Sequence, residues 1–182
     1  MINPETSLEE IAALVSGALS EAGIDAVLSG GGAVTFYSKN EYMSTDLDFI
    51  TSERKKRIAP IVEKLGFEVT EGKDFHHPHS KFFIEFPAGP LAFGSKYIDN
   101  TAAVTLETEF GPVRIITPTQ SVMDRLAWVA HANDLQSKEQ AVLIAKHQEI
   151  DWEEIFEWAD TEQIDRALIS EIQKKAVLNN AT

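Results

Sequence analysis

Residues 25–50 read DAVLSGGGAVTFYSKNEYMSTDLDFI, and the rest of the chain is arranged around them. An apolar strand over Ala26, Val27 and Leu28 is expected to run into Gly30, Gly31 and Gly32, with a short helix over 33–37 behind them. A second strand then carries Asp46 and Asp48 between Leu47 and Phe49. Side chains two apart on a strand share a face, so the two aspartates project together while Leu47 and Phe49 face the other way. Carboxylates held that close repel one another unless a cation lies between them. Hard oxygen ligands of this kind suit Mg²⁺ or Mn²⁺. Upstream, the glycines let backbone approach a ligand, and a helix that starts there turns its free N–H groups toward an anion. A phosphate cradle next to a metal-holding acid pair implies metal-assisted phosphoryl chemistry.

The order of apolar strand, Gly-Gly-x-Ala, helix and Ser-x-Asp-Leu-Asp resembles the DNA polymerase beta-like nucleotidyltransferase superfamily. Within it, the small bacterial branch of abortive-infection and toxin-type nucleotidyltransferases is the most similar. The matching residues are Gly30, Gly31, Ala33, Ser44, Asp46, Leu47 and Asp48. The resemblance implies an α+β fold, with a mixed sheet flanked by helices and a C-terminal helical subdomain. It also implies transfer of a nucleoside monophosphate from an NTP to a hydroxyl on RNA, protein or a small molecule. Mg²⁺ or Mn²⁺ would be held by Asp46, Asp48 and a third acid from a neighbouring strand. Gly30, Gly31 and Ser44 would serve the nucleotide phosphates, with Lys39 or Arg125 offsetting charge. One departure stands out: a basic residue commonly lies four positions before the first aspartate, and here that position is Tyr42, with Lys39 the nearest cation.

The third acid is sought in Lys81-Phe82-Phe83-Ile84-Glu85-Phe86, a strand with one carboxylate in an aromatic and aliphatic run. A buried glutamate without a partner is costly, which marks Glu85 as informative. The resemblance implies that it completes the metal site and acts as base toward the acceptor; the competing reading is a solvated acid on an edge strand. His76, His77 and His79 lie in a polar loop over 71–80 with Gly72 and Pro78. No further ligand motif accompanies them, so a surface loop is preferred over zinc.

Composition limits the function classes. With 43% hydrophobic residues, the 182-residue chain can build a sizeable core. It has no cysteine, which removes disulfides and thiol chemistry. Twenty-nine acidic against 16 basic residues give a net charge of -13, which disfavours general DNA binding because such affinity comes from neutralising phosphates. Arg54, Lys55, Lys56 and Arg57 form the one dense basic run and read as a solvated first helical turn. The acidic start lacks a secretory pattern and no run is long enough to span a membrane, so a cytoplasmic protein is expected.

Around the central stretch, Ser7 with Glu10 signals a helix start, the apolar positions from Leu8 to Leu19 recur at helical spacing, and Gly23 supplies the stop. A helix over 53–65 contains Pro60, which predicts a kink or two shorter helices. Strands are expected at 67–69, 81–86, 95–99, 102–109 and 113–116, with 87–94 as a stiff connector, giving a mixed sheet of five or six strands. Alternation along Val104, Leu106 and Thr108 suggests one buried face. From Pro118 the pattern is helical, and Asp134 matches the acid of a basic-Asp pair in the resemblance. Two further helices follow over 151–176, with an aromatic face on Trp152, Phe156 and Trp158. The expected division is 1–117 as the α/β core and 118–182 as a helical subdomain packed on it. Besides an enzyme, two readings stay open: a non-catalytic binding or regulatory module, paired with a partner in a toxin–antitoxin or phage-defence system, and a metal-dependent phosphoesterase using the same acids.

Overall fold

A computed structural model describes residues 1–70, 74–99 and 102–178. Among them the chain forms seven helices and a seven-stranded mixed sheet with strand order β3-β4-β5-β2-β1-β9-β8. At its centre lie β1 (Val27–Ser29) and β2 (Asp46–Ile50), antiparallel to one another, with β5 (Phe83–Glu85) parallel to β2 and β9 (Gly111–Ile115) parallel to β1. Strand β8 (Val104–Thr108) closes one edge; β4 (Phe75–His76) and β3 (Glu68–Val69) close the other. This is the α+β architecture expected from the sequence.

Helix α1 (Leu8–Glu21) begins where the Ser7 hydroxyl accepts a hydrogen bond from the Glu10 N–H at 3.1 Å. Its apolar face, Leu8, Ile11, Ala12, Val15 and Leu19, is fully buried, and Gly23 at φ +68 turns the chain toward β1. Helix α2 (Gly30–Tyr37) follows β1 without a loop and packs against β2. Its anchor is Tyr37, whose buried hydroxyl donates to the Ile116 carbonyl at 2.5 Å.

Several local expectations are corrected. Helix α3 (Lys55–Glu63) runs through Pro60 unbroken. Proline lacks only one N–H, whose partner would be the carbonyl of Lys56 in the first turn, so a short helix tolerates the loss. The sheet has seven strands: β3 forms within the stretch expected at 67–69, and β4, two residues long and too short for alternation to reveal, adds to it. Part of the 71–80 loop is therefore strand, with Phe75 fully buried; Gly72 lies outside the described residues. The connector over 87–94 contains β6 (Ala92–Phe93), which turns at Gly94 to pair with β7 (Lys96–Tyr97). Val104 is 39% exposed, since β8 is an edge strand that no second layer fully covers.

The helical part begins with α4 (Pro118–Ala132), started by a reciprocal capping box between Thr117 and Gln120 and by proline in its first turn. Asn133 adopts the left-handed conformation at φ 54, and Asp134 then caps α5 (Leu135–His147) through Gln136 N–H. Helices α6 (Trp152–Glu162) and α7 (Arg166–Leu178) complete the described residues. Of the aromatic face, Trp158 is buried and donates its indole N–H to the Phe93 carbonyl at 3.2 Å, which fastens the β6–β7 hairpin to α6. Among the described residues no helix is long and apolar enough to cross a membrane.

Candidate functional site

The period-two reading of β2 holds. Leu47 and Phe49 are fully buried, whereas Asp46 and Asp48 are half-buried on the opposite face. The register carries that face across the sheet, since Ser29 of β1 pairs with Asp48 and Asp48 pairs with Glu85 of β5. One row thus holds a serine and two acids, with Asp46 one step along.

Glycine is required at position 30. Its φ is +59, and a Cβ there would overlap the Asp48 carboxylate, so that carboxylate rests against the start of α2. At position 31 a Cβ would lie 2.6 Å from the Ser44 hydroxyl. Ser44 in turn donates to Asp46 Oδ1 at 2.6 Å and fixes that carboxylate. The backbone N–H of Ser44 is held by Thr35 Oγ1 at 3.0 Å, and the Thr35 hydroxyl donates to the Gly31 carbonyl at 3.1 Å. Buried Thr35 therefore ties the glycine turn to the loop before β2. Among the described residues no side chain caps the α2 N-terminus, and its first turn holds no acid. Its early N–H groups remain available to an anion.

Above these groups lies a cleft of about 520 Å³, within the range of ligand pockets. Its floor includes Ser29, Gly30, Gly31, Ser44, Asp46 and Asp48. One wall is the segment from Pro87 to Phe93, and the other is α4 and α5, through Asp124, Arg125, Trp128 and Gln140. Arg125 is 8% exposed; it donates to Asp124 Oδ2 at 2.5 Å and to Gln140 Oε1 at 3.1 Å. Among the described residues its Nε has no hydrogen-bond partner, an orphan buried donor of the kind that a bound anion satisfies.

The electrostatics are those of an acid cluster short of cations. Asp48 is pushed up to about 7, first by burial and then by the charges of Asp46, Glu85 and Asp124, against a smaller opposing effect of Arg125. Glu85 is raised by burial, with Asp74 and Asp46 adding to the effect. Asp134 is held below its ordinary value by the hydrogen bond from Ser137 at 2.7 Å, which marks it as the α5 cap as well as a cleft residue.

The fold brings Gly30, Gly31, Ser44, Asp46, Asp48 and Arg125 to one cleft. Glu85 shares the face of the acid pair without lining the cleft, and Lys39, in a left-handed turn after α2, does not line it either. Among the described residues no three His, Cys, Asp or Glu side chains converge as a metal cluster, which holds for the histidines too. His76 stacks on Phe83 and His77 packs edge-on against Phe67. Sequence reasoning missed Ser29, Thr35, Asp124, Trp128 and Gln140. Only Ser29 carried a local signal, as the strand residue ahead of the glycines.

No protein-family model matches the chain, and no curated protein does. Solved structures do. An antigenic nucleotidyltransferase-like protein from Paracoccidioides brasiliensis superposes with a TM-score of 0.58 at 14% identity, over 80% of this chain and 78% of that one. ANT(2″)-Ia in complex with adenylyl-2″-tobramycin gives 0.51 at 17% identity, over 74% and 86%. The solution structure of the antibiotic-resistance factor ANT(2″)-Ia gives 0.50 at 16%, over 76% and 89%. At such identities the likeness is one of fold. The chain has a nucleotidyltransferase-like α+β fold.

Proposed function

We propose that this protein transfers a nucleoside monophosphate from a nucleoside triphosphate to a hydroxyl acceptor at the cleft between β2 and α4. The observation that carries the reading is the meeting of Asp46 and Asp48 with the uncapped start of α2 on one cleft floor. The nucleotidyltransferase-like fold supports it.

The donor set suits Mg²⁺ or Mn²⁺. Two hard carboxylates without a neighbouring free cation repel each other, and Mg²⁺ is commonly bound by one or two carboxylates with substrate phosphates and water rather than by an all-protein cage. That preference also accounts for a site with no third converging acid. Asp46 and Asp48 would hold the ion, which when bound supplies charge stabilisation to the phosphoryl oxygens. The early α2 amides bind the phosphates, and the Arg125 Nε gains its missing acceptor. Ser44 keeps the Asp46 carboxylate oriented. The acceptor oxygen bonds to the α-phosphorus as the bond to the bridging oxygen breaks; pyrophosphate leaves, and the hydroxyl proton passes through a water to Glu85, which pairs with Asp48 in the sheet without lining the cleft. The raised affinity of Glu85 for a proton suits a base. Asp124 and Asp134 leave the cleft acidic, which favours a small neutral or cationic acceptor over RNA. ANT(2″)-Ia, bound to an adenylylated tobramycin, is in keeping with such an acceptor.

A second reading, a nucleotide-binding module without chemistry, is favoured by the position of Glu85 outside the cleft lining. Calorimetric titration of ATP, GTP, CTP and UTP with Mg²⁺ or Mn²⁺ tests the donor site. Metal-dependent binding is expected in wild type and lost in Asp46→Ala/Asp48→Ala; no binding of any nucleotide defeats the proposal. Pyrophosphate release in the presence of candidate acceptors, lost in Glu85→Gln with nucleotide binding kept, separates the enzyme from the module.

A further inference from the structure

The cleft has a shortage that its floor must make good. Among the described residues its charged lining is Asp46, Asp48, Asp124 and Asp134 against one cation, Arg125, which already bonds Asp124 and Gln140. A nucleoside triphosphate carries its greatest charge on the terminal phosphates, and those require donors at the start of α2. Tyr42 stands there. It lines the cleft, and its hydroxyl lies 3.4 Å from where a Cβ on Gly31 would be. The neighbouring hydroxyl of Ser44 is committed to Asp46, whereas among the described residues no protein group bonds the Tyr42 hydroxyl.

The ring is held in place rather than adrift. The Tyr42 N–H donates to Ser38 Oγ at 3.2 Å, and its ring packs against the core. Beside it, Glu41 accepts from Lys146 at 2.8 Å and pairs with His147 at 2.7 Å, which fastens the loop to the end of α5. A fixed aromatic thus presents an open O–H next to the uncapped amides of α2.

Resting on the transfer reading above, we propose that Tyr42 is the side chain that binds the terminal phosphates of the donor nucleotide, by a hydrogen bond from its hydroxyl. A neutral donor orients a phosphate without neutralising it. The site therefore takes the triphosphate only as its metal complex, and its affinity depends weakly on ionic strength.

The test is calorimetric titration of ATP and AMP with Mn²⁺ into wild type, Tyr42→Phe and Tyr42→Lys. Removing only the hydroxyl is expected to weaken ATP about tenfold, in line with a hydrogen bond to a charged group, and to leave AMP unchanged. Tyr42→Lys is expected to regain ATP affinity and to make it fall with added salt. Equal ATP affinity in wild type and Tyr42→Phe overturns the proposal, as does equal weakening of ATP and AMP, which would mark a structural role for the ring. Failure of wild type to bind ATP, GTP, CTP or UTP would overturn the transfer reading along with it, and that result is visible before any variant is made.

Discussion

The sharpest perturbation of the acid cluster is Asp48→Asn. Burial and the charges of Asp46, Glu85 and Asp124 lift Asp48 from an ordinary value of 3.8 to about 7. The folded state thus holds its proton over a range in which the unfolded chain has lost it. Stability rises with pH only where the unfolded state binds more protons; here the folded state binds more, so this group lowers stability as pH climbs from about 4 to about 7 and has no further effect above. At roughly 1.4 kcal/mol for each tenfold change in proton affinity, the rise sets a ceiling of about 4 kcal/mol. Relaxation and water at a half-buried site reduce this, and about 2 kcal/mol is a working figure. Asparagine keeps the shape against Gly30 without the charge. In a chain of this size that gain raises Tm by about 4–8 °C at pH 8, with the difference vanishing near pH 4. Thermal melts of both proteins at pH 4, 6 and 8 without divalent ions provide the comparison. A variant equally stable or less stable at pH 8, or a difference that ignores pH, refutes the argument that Asp48 is a strained charge awaiting a cation.

Two further substitutions test the scaffold of the site. Gly30→Ala places a Cβ on the Asp48 carboxylate at a left-handed φ, and is expected to cost about 1–3 kcal/mol in urea denaturation and to abolish Mn²⁺-dependent nucleotide binding. Ser44→Ala frees Asp46 from its hydroxyl tether; a loss near 1 kcal/mol is expected, with nucleotide affinity down about tenfold in the same titrations.

What the sequence made legible, and what it hid, follows from the range of the interactions. Asp46 and Asp48 could be placed on one face because strand periodicity is local, and the Gly30–Gly31 turn because a strand feeds it directly. The pairing of Glu85 with Asp48 is a matter of register between strands 37 residues apart, which the acid's apolar setting hinted at without fixing its relation to the cleft. Strands β4 and β6 are two residues each and carry no alternation. The break between α4 and α5 depends on the backbone of Asn133, which a run of helix-forming residues on both sides concealed. Asp124, Trp128 and Gln140 reach the cleft only because α4 and α5 pack over α2, a tertiary fact with no local signature.

The passage from β9 into α4 is a single capped junction at Thr117, and the cleft is divided along it. Residues before the junction contribute the acid pair, the glycine turn and the hairpin wall; those after it contribute Asp124, Arg125, Trp128 and the flank of α5. Inheritance of the two parts is therefore unequal in its effects. Drift among the helices after Thr117 would remodel one wall of the cleft while the acids on β2 stayed where the sheet puts them. A lineage built on this frame would thus diversify what it accepts faster than the chemistry it performs.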